Sequence, residues 1–225
     1  MDKRLLFPLL VGTVALFGFL NSYVLINEGL YFNNFAEQLS YEQIEDMLAQ
    51  GKRWEWLGYA IIPVIYLIKL SLVAACLSVG VFFVHNRFEF RRLWGVALVA
   101  EFVFLLPIII KVLWFAFVQT NYTLKDLQFF YPLSALNFFD YKHLDTWWVY
   151  PLQTLNVFEV IYWVVLAWGI QPPPPPMGEL STNQNNSQPI GEGWGGALSL
   201  VMGSYGVGLV LWVALVMFLT VSYSA

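Results

Sequence analysis

Residues 93–117 read LWGVALVAEFVFLLPIIIKVLWFAF. At about 1.5 Å of rise per residue, a helix of that length crosses the ~30 Å hydrocarbon core of a bilayer. Only Glu101 and Lys111 interrupt its apolar character. Runs of the same kind lie at 5–27, 59–84, 151–170 and 196–221. Together they predict an all-α fold: a polytopic membrane helix bundle of five transmembrane helices, with interfacial amphipathic helices on the outer side. The composition agrees. Of 225 residues, 59% are hydrophobic and 12% charged, against roughly 25% charged in soluble domains, and the mean hydropathy is +0.63. A cytosolic enzyme, a disordered tail and a fibrous protein are excluded. The net charge is −4 and the longest basic cluster is the pair Arg91 and Arg92, so nucleic acid has no electrostatic footprint to bind. The partner that the composition names is the lipid bilayer.

Working outward, residues 1–170 form a four-span core with outer segments 28–57 and 119–150. Residues 171–195 are a linker, and 196–225 hold the fifth helix. The first run follows Lys3 and Arg4 and continues through Phe17, Phe19 and Tyr23 without a small-residue cleavage site, so it reads as a retained signal anchor. Lys3, Arg4, Arg87, Arg91 and Arg92 mark the cytoplasmic side by the positive-inside rule. In 28–57, Lys52 and Arg53 are outnumbered by Glu28, Glu37, Glu42, Glu45, Asp46 and Glu55. In 119–150, Lys125 and Lys142 face Asp126, Asp140 and Asp145. The N-terminus is therefore expected inside and the C-terminus outside. The composition of the loops suits a bacterial inner membrane.

The outer segments carry structure signals. Ser40 and Gln43 form a capping box before a short helix that Gly51 can end, with Leu39, Ile44, Met47 and Leu48 on one face. Thr123 and Asp126 form another. Phe129, Phe130, Tyr131, Phe138, Phe139, Tyr141, Trp147, Trp148 and Tyr150 crowd the second segment, as the headgroup level of a membrane selects. YPLSALNFF at 131–139 recurs as YPLQTLNVF at 150–158, a repeat that reads as two turns into the membrane. In the linker, Pro172 to Pro176 make a polyproline II spacer of roughly 15 Å, followed by a polar stretch expected to be disordered.

Catalytic signals are few. His85 and His143 each lack a second ligand at metal spacing, Cys76 is a lone thiol in an apolar run, and no nucleophile elbow or phosphate loop occurs. No metal or cofactor is implied. Asn121-Tyr-Thr123 is a formal glycosylation sequon. What remains is four ionisable residues inside the spans: Lys69, Glu101, Lys111 and Glu159. Each costs about 2.5 to 3.5 kcal/mol near the bilayer centre, so they are expected to face inward and pair. Equal depth predicts that Lys69 meets Glu159, with Lys111 also in reach of Glu159 and Glu101 left to Lys69 or the inner arginines. Asn156, three residues before Glu159, is expected to extend the polar stripe on the same helix face. Pro63 and Pro107 free backbone carbonyls near this network. The network is either a set of salt bridges that fix helix register or a polar path. In the last span Gly195, Ser199 and Gly203 recur every four residues with Gly206 beyond them, a stripe that lets helices approach closely. Its partner is a span of the same chain or another subunit, the former being preferred.

The segment YEQIEDMLAQGKRWEWL, the following span with Pro63 and Lys69, and the turn NRFEFRRLWGVALVAEFVFLL resemble the Yip-type family of small five-span membrane proteins over roughly residues 41–118. The resemblance implies membrane organisation and trafficking and supplies no catalytic residue. The function expected from the sequence is a non-enzymatic inner-membrane protein acting as subunit or organiser of a larger transport or export assembly, with a membrane-protein partner or a homo-oligomer. The rival is a small permease with its path between spans two, three and four. An intramembrane enzyme comes third.

Overall fold

The computed structural model describes residues 3–26, 28–36, 38–86, 88–140, 144–171 and 193–224. The proline run, most of the polar linker, Arg87, Lys142 and His143 lie outside them. The described residues are helical, with no strand and one isolated bridge, Ser134 to Asn156. Four helices are long and apolar enough to cross a membrane by length and composition: Leu5–Leu25, Tyr41–Val84, Phe90–Phe117 and Trp194–Tyr223. The chain divides into two compact units, Met1–Lys69 with Phe102–Phe158, and Leu70–Glu101 with Glu159–Ala225.

Helices α1 (Lys3–Leu25), α2 (Glu28–Phe35) and α3 (Tyr41–His85) come first. The Ser40 box forms: Gln43 N donates to Ser40 Oγ at 3.3 Å, and Ser40 N donates to Gln43 Oε1 at 2.9 Å. The separate outer helix ending at Gly51 does not form. Instead α3 runs through Gly51 for 45 residues, because a helical glycine costs only about 1 kcal/mol and the next helix breaker, Pro63, is itself accommodated inside the helix. Asn86, at φ 53°, takes the left-handed conformation that ends α3, its N–H bonded to Phe82 O at 2.9 Å.

The third run is not a uniform α-helix. It consists of α4 (Phe90–Ala100), a 3-10 turn at Glu101–Phe104, and α5 (Leu105–Phe117). Pro107 explains the change. Lacking an N–H, it cannot bond the carbonyl four residues back and its ring crowds that carbonyl, so the backbone tightens ahead of it and restarts with proline in the first turn.

The fourth run is also divided. Helix α6 (Leu124–Phe129) opens on the Thr123–Asp126 capping box, as expected. Then follow a 3-10 turn at Ala135–Phe138, α7 (Thr146–Thr154) and α8 (Val157–Ile170). Between α7 and α8 the Asn156 side chain donates to Gln153 O at 2.9 Å and Thr154 O at 3.2 Å. Those carbonyls would otherwise serve a continuous helix, so the asparagine competes with it locally. The single crossing expected at 151–170 is thus two short helices, the second of 14 residues.

In the first unit α1 packs on α5. Leu25, Phe115 and Leu127 form a core cluster with Ile26, Leu30, Val112, Tyr122 and Phe130. Phe130 stacks edge-on against Phe115 at 5.0 Å, so part of the aromatic stretch is interior packing rather than belt. The Tyr122 hydroxyl donates to Leu25 O at 3.0 Å, closing the end of α1, and burial pushes its pKa above the ordinary tyrosine value.

In the second unit, α9 (Trp194–Val201), a π turn at Met202–Gly206 and α10 (Val207–Ser224) form the last helix. Its small residues meet small residues of α3. A Cβ added at Gly80 would lie 2.6 Å from Ser204 Cβ, and one at Gly208 would lie 3.0 Å from Cys76 Sγ. Cys76 and Gly80 are four apart, as are Ser204 and Gly208, so each helix offers one groove to the other.

Candidate functional site

Glu159 lies in the first turn of α8, where the positive end of the helix dipole favours a carboxylate. Its Oε1 accepts two hydrogen bonds, from Trp163 Nε1 at 2.9 Å and from the Tyr205 hydroxyl at 2.8 Å. Trp163 is one helical turn along α8, so this contact follows from spacing alone. Tyr205 comes from the π turn. Its ring meets Tyr162 edge-on at 5.4 Å, and Tyr162 is completely buried. Glu101, in the 3-10 turn, is 1% exposed and lies within electrostatic reach of both Tyr162 and Tyr205, as does Glu159. Two carboxylates, two phenols and an indole are therefore gathered in the second unit. Both Glu101 and Tyr205 sit where a membrane helix departs from α geometry, and such departures are frequent at functional sites.

Gly206 allows the arrangement. An added Cβ would lie 3.1 Å from the Trp163 ring, so the tryptophan that bonds Glu159 occupies the space a side chain would need. On the other side of α8, a Cβ at Gly169 would lie 2.4 Å from Val96 Cγ1, which draws α4 and α8 together. Arg92 completes this contact. Its Nη1 meets Glu89 at 2.8 Å, and its Nη2 donates to the carbonyls of Ile170 at 3.0 Å and Gln171 at 2.9 Å. An arginine read from sequence as a marker of the cytoplasmic side also caps the last turn of α8.

Lys69, Lys111 and Asn156 have contacts of their own. Lys69 belongs to the first unit, where its ammonium lies 4.5 Å from the Phe104 ring centroid and 5.9 Å from that of Tyr66. Lys111 donates to the carbonyl of Leu127, in α6. Asn156 precedes α8 and spends its amide on the α7–α8 break, so it does not share a helix face with Glu159. Gly195, Ser199 and Gly203 are exposed, and a Cβ at Gly195 or Gly203 would meet nothing within 4 Å. The preferred packing of that stripe within the chain is therefore corrected for these three residues. The π turn inserts its wider loop at 202–206 and carries the packing face over to Ser204, Gly206 and Gly208.

Sequence reasoning missed Tyr162, Trp163, Tyr205 and Arg92. The i, i+3 and i, i+4 spacing from Glu159 could have found Tyr162 and Trp163. Tyr205 needed the π turn. Among the described residues, no group of three or more His, Cys, Asp or Glu could hold a metal ion. No family model, curated protein or solved structure matches this chain.

Proposed function

We propose that this chain is a small permease of a bacterial inner membrane, with Glu159 as the protonatable station of a polar path. The observation that carries this reading is the Glu159 carboxylate held by Tyr205 and Trp163, with buried Glu101 nearby; Glu159 and Trp163 are on the short apolar helix α8, and Glu101 and Tyr205 are on helices long and apolar enough to cross a membrane. Ionisable groups at membrane depth are expensive and mark ion or substrate paths and proton relays. A carboxylate at a helix start, bonded by a phenol, can take up a proton and release it again while the phenol keeps its bond to either form. In this reading the chain crosses five times. α7 and α8 together make the fourth crossing, as broken helices do in transporters whose sites lie at the interruption. The N-terminus and Arg91 and Arg92 are on the cytoplasmic side.

The second reading, a non-enzymatic subunit or organiser of a larger membrane assembly, is supported by the exposed Gly195, Ser199 and Gly203 and by the Yip-type resemblance. Two experiments separate them. Purified protein in phosphatidylcholine vesicles is offered a pool of small metabolites and ions under an imposed pH gradient, and uptake is read by mass spectrometry. The permease reading expects at least one solute to accumulate with wild type and not with Glu159→Gln. An identical uptake profile for wild type, variant and empty vesicles would overturn it. Affinity purification in mild detergent tests the other: recovery only as a lone monomer or homomer removes a hetero-assembly.

A further inference from the structure

The two copies of the YPL repeat pair with each other. Ala135 N donates to Leu155 O at 2.8 Å and Val157 N donates to Leu133 O at 3.1 Å, on either side of the Ser134–Asn156 bridge. The pairing is offset: the fourth residue of the first copy faces the seventh of the second. Further bonds close part of this non-helical backbone locally. Tyr131 O accepts from Ser134 Oγ at 2.9 Å and from Asn137 Nδ2 at 2.8 Å. Asn137 N reaches Ser134 O, and Phe139 N reaches Leu136 O. Asn137 and Asn156 occupy the same place in the two copies, and each turns its amide onto carbonyls of its own copy. The repeat thus preserves the residue that closes the backbone on itself.

Large apolar side chains of these segments face outward. Ser134 and Leu136 are turned in, each 2% exposed, whereas Leu133, Phe138, Leu155 and Val157 are turned out, with Phe138 at 89%. No charged residue occurs in 127–139 or in 146–158, while Asp126, Asp140, Asp145 and Glu159 stand at their borders. A non-helical backbone that pairs with itself and bonds its own side-chain amides and hydroxyl, carrying exposed apolar side chains and no charge between bordering carboxylates, suits burial in hydrocarbon, where backbone groups must find partners within the protein.

We infer that the paired segments 131–139 and 154–157 dip into one leaflet and that Leu133, Phe138, Leu155 and Val157 rest on lipid acyl chains. The expected outer loop is then a re-entrant one: α6 leads in from the aqueous side, the chain turns back at Asp140, and α7 leads in again. The lipid it meets is defined by its acyl chains rather than by a headgroup. This inference is independent of what Glu159 does.

Spin labels placed singly at 138 and at 155 in a Cys76→Ser background, with the protein in phosphatidylcholine vesicles, test it. Collision rates are measured with oxygen, which concentrates in the acyl layer, and with a water-soluble nickel chelate. Labels at 19, on the apolar α1, and at 46, among the exposed acids of α3, set the two limits. Positions 138 and 155 should give the oxygen-dominated ratio of position 19, and the use of two sites guards against one variant misfolding. A nickel-dominated ratio like that of position 46, or a depth at the lipid phosphates, would overturn the inference. So would low collision rates with both reagents, which would put protein rather than lipid over the segment.

Discussion

The hydroxyl of Tyr205 donates to the carboxylate of Glu159 across 2.8 Å, joining the π turn of the last helix to the first turn of α8. A hydrogen bond to a charged acceptor contributes about 1.5 to 3 kcal/mol. Tyr205→Phe should therefore lower stability by that amount, since the ring still packs against Tyr162 while the donor is gone. Glu159→Gln should cost less, because an amide oxygen still accepts from both Tyr205 and Trp163. Unfolding of both variants in detergent, followed by tryptophan fluorescence, reads the difference. A glutamine variant less stable than the phenylalanine variant would show that the charge, not the bond, holds the site.

Arg92 caps α8 through the carbonyls of Ile170 and Gln171. Those carbonyls lie at the end of α8, where the last carbonyls have no donor within the helix. Arg92→Ala should destabilise by about 1 to 3 kcal/mol, and Arg92→Lys should recover only part of this, since one ammonium cannot serve Glu89 and two carbonyls with the geometry of a planar fork. Arg91, which serves the charge balance without that role in α8, is the control: Arg91→Ala should leave the melting temperature nearly unchanged. Equal losses for both would assign the effect to charge alone.

Four of the five expected spans were legible, as helices long and apolar enough to cross a membrane, because the apolar runs are long and the charges few, and hydrophobic length is the strongest signal a sequence carries. The two capping boxes were legible because they are local. Interruptions were not. The 3-10 turn at Glu101 followed from Pro107, a residue noted for its freed carbonyl but not for its effect on the backbone before it. The α7–α8 break depends on Asn156 finding carbonyls of its own turn and on Leu133 supplying the acceptor that Val157 needs. Leu133 sits at φ 56°, a conformation few would assign to leucine from sequence. The site suffered for the same reason: Glu101 and Glu159 stood out as charges in apolar runs, whereas Tyr205 enters only because a π turn displaces the small-residue stripe that appeared to own that helix.

Close approach of α4 and α8 depends on Gly169. A Cβ there would stand 2.4 Å from Val96 Cγ1, and valine, branched at Cβ, has little rotamer freedom with which to retreat. Gly169→Ala should cost about 1 to 3 kcal/mol by overpacking. Val96→Ala in the same chain should restore most of that loss, since the offending methyl is removed. The coupling between the two positions, obtained from a double-mutant cycle of unfolding free energies, should be favourable. Additive losses would mean that the helices shift apart instead and that the contact does not set their spacing.

Lys111 supplies the test of whether the charges in these spans act as one network. Its ammonium donates to the carbonyl of Leu127, which ties α5 to α6 beside the Leu25–Phe115–Leu127 core. Lys111 is thus an anchor for α6. Lys111→Met keeps the length and apolar stem of the side chain but removes the donor, so α6 should loosen by about 1.5 to 3 kcal/mol. That corresponds to roughly a 10- to 150-fold rise in amide exchange for residues 124–130 if they open as a unit, while the exchange of α8 stays unchanged. Hydrogen-exchange mass spectrometry on the reconstituted protein resolves the two regions. Lys111→Arg should restore much of the protection, because a guanidinium can also reach a carbonyl. If instead Lys111→Met leaves 124–130 protected but abolishes the solute uptake that Glu159→Gln abolishes, Lys111 belongs to the path and is not an anchor for α6.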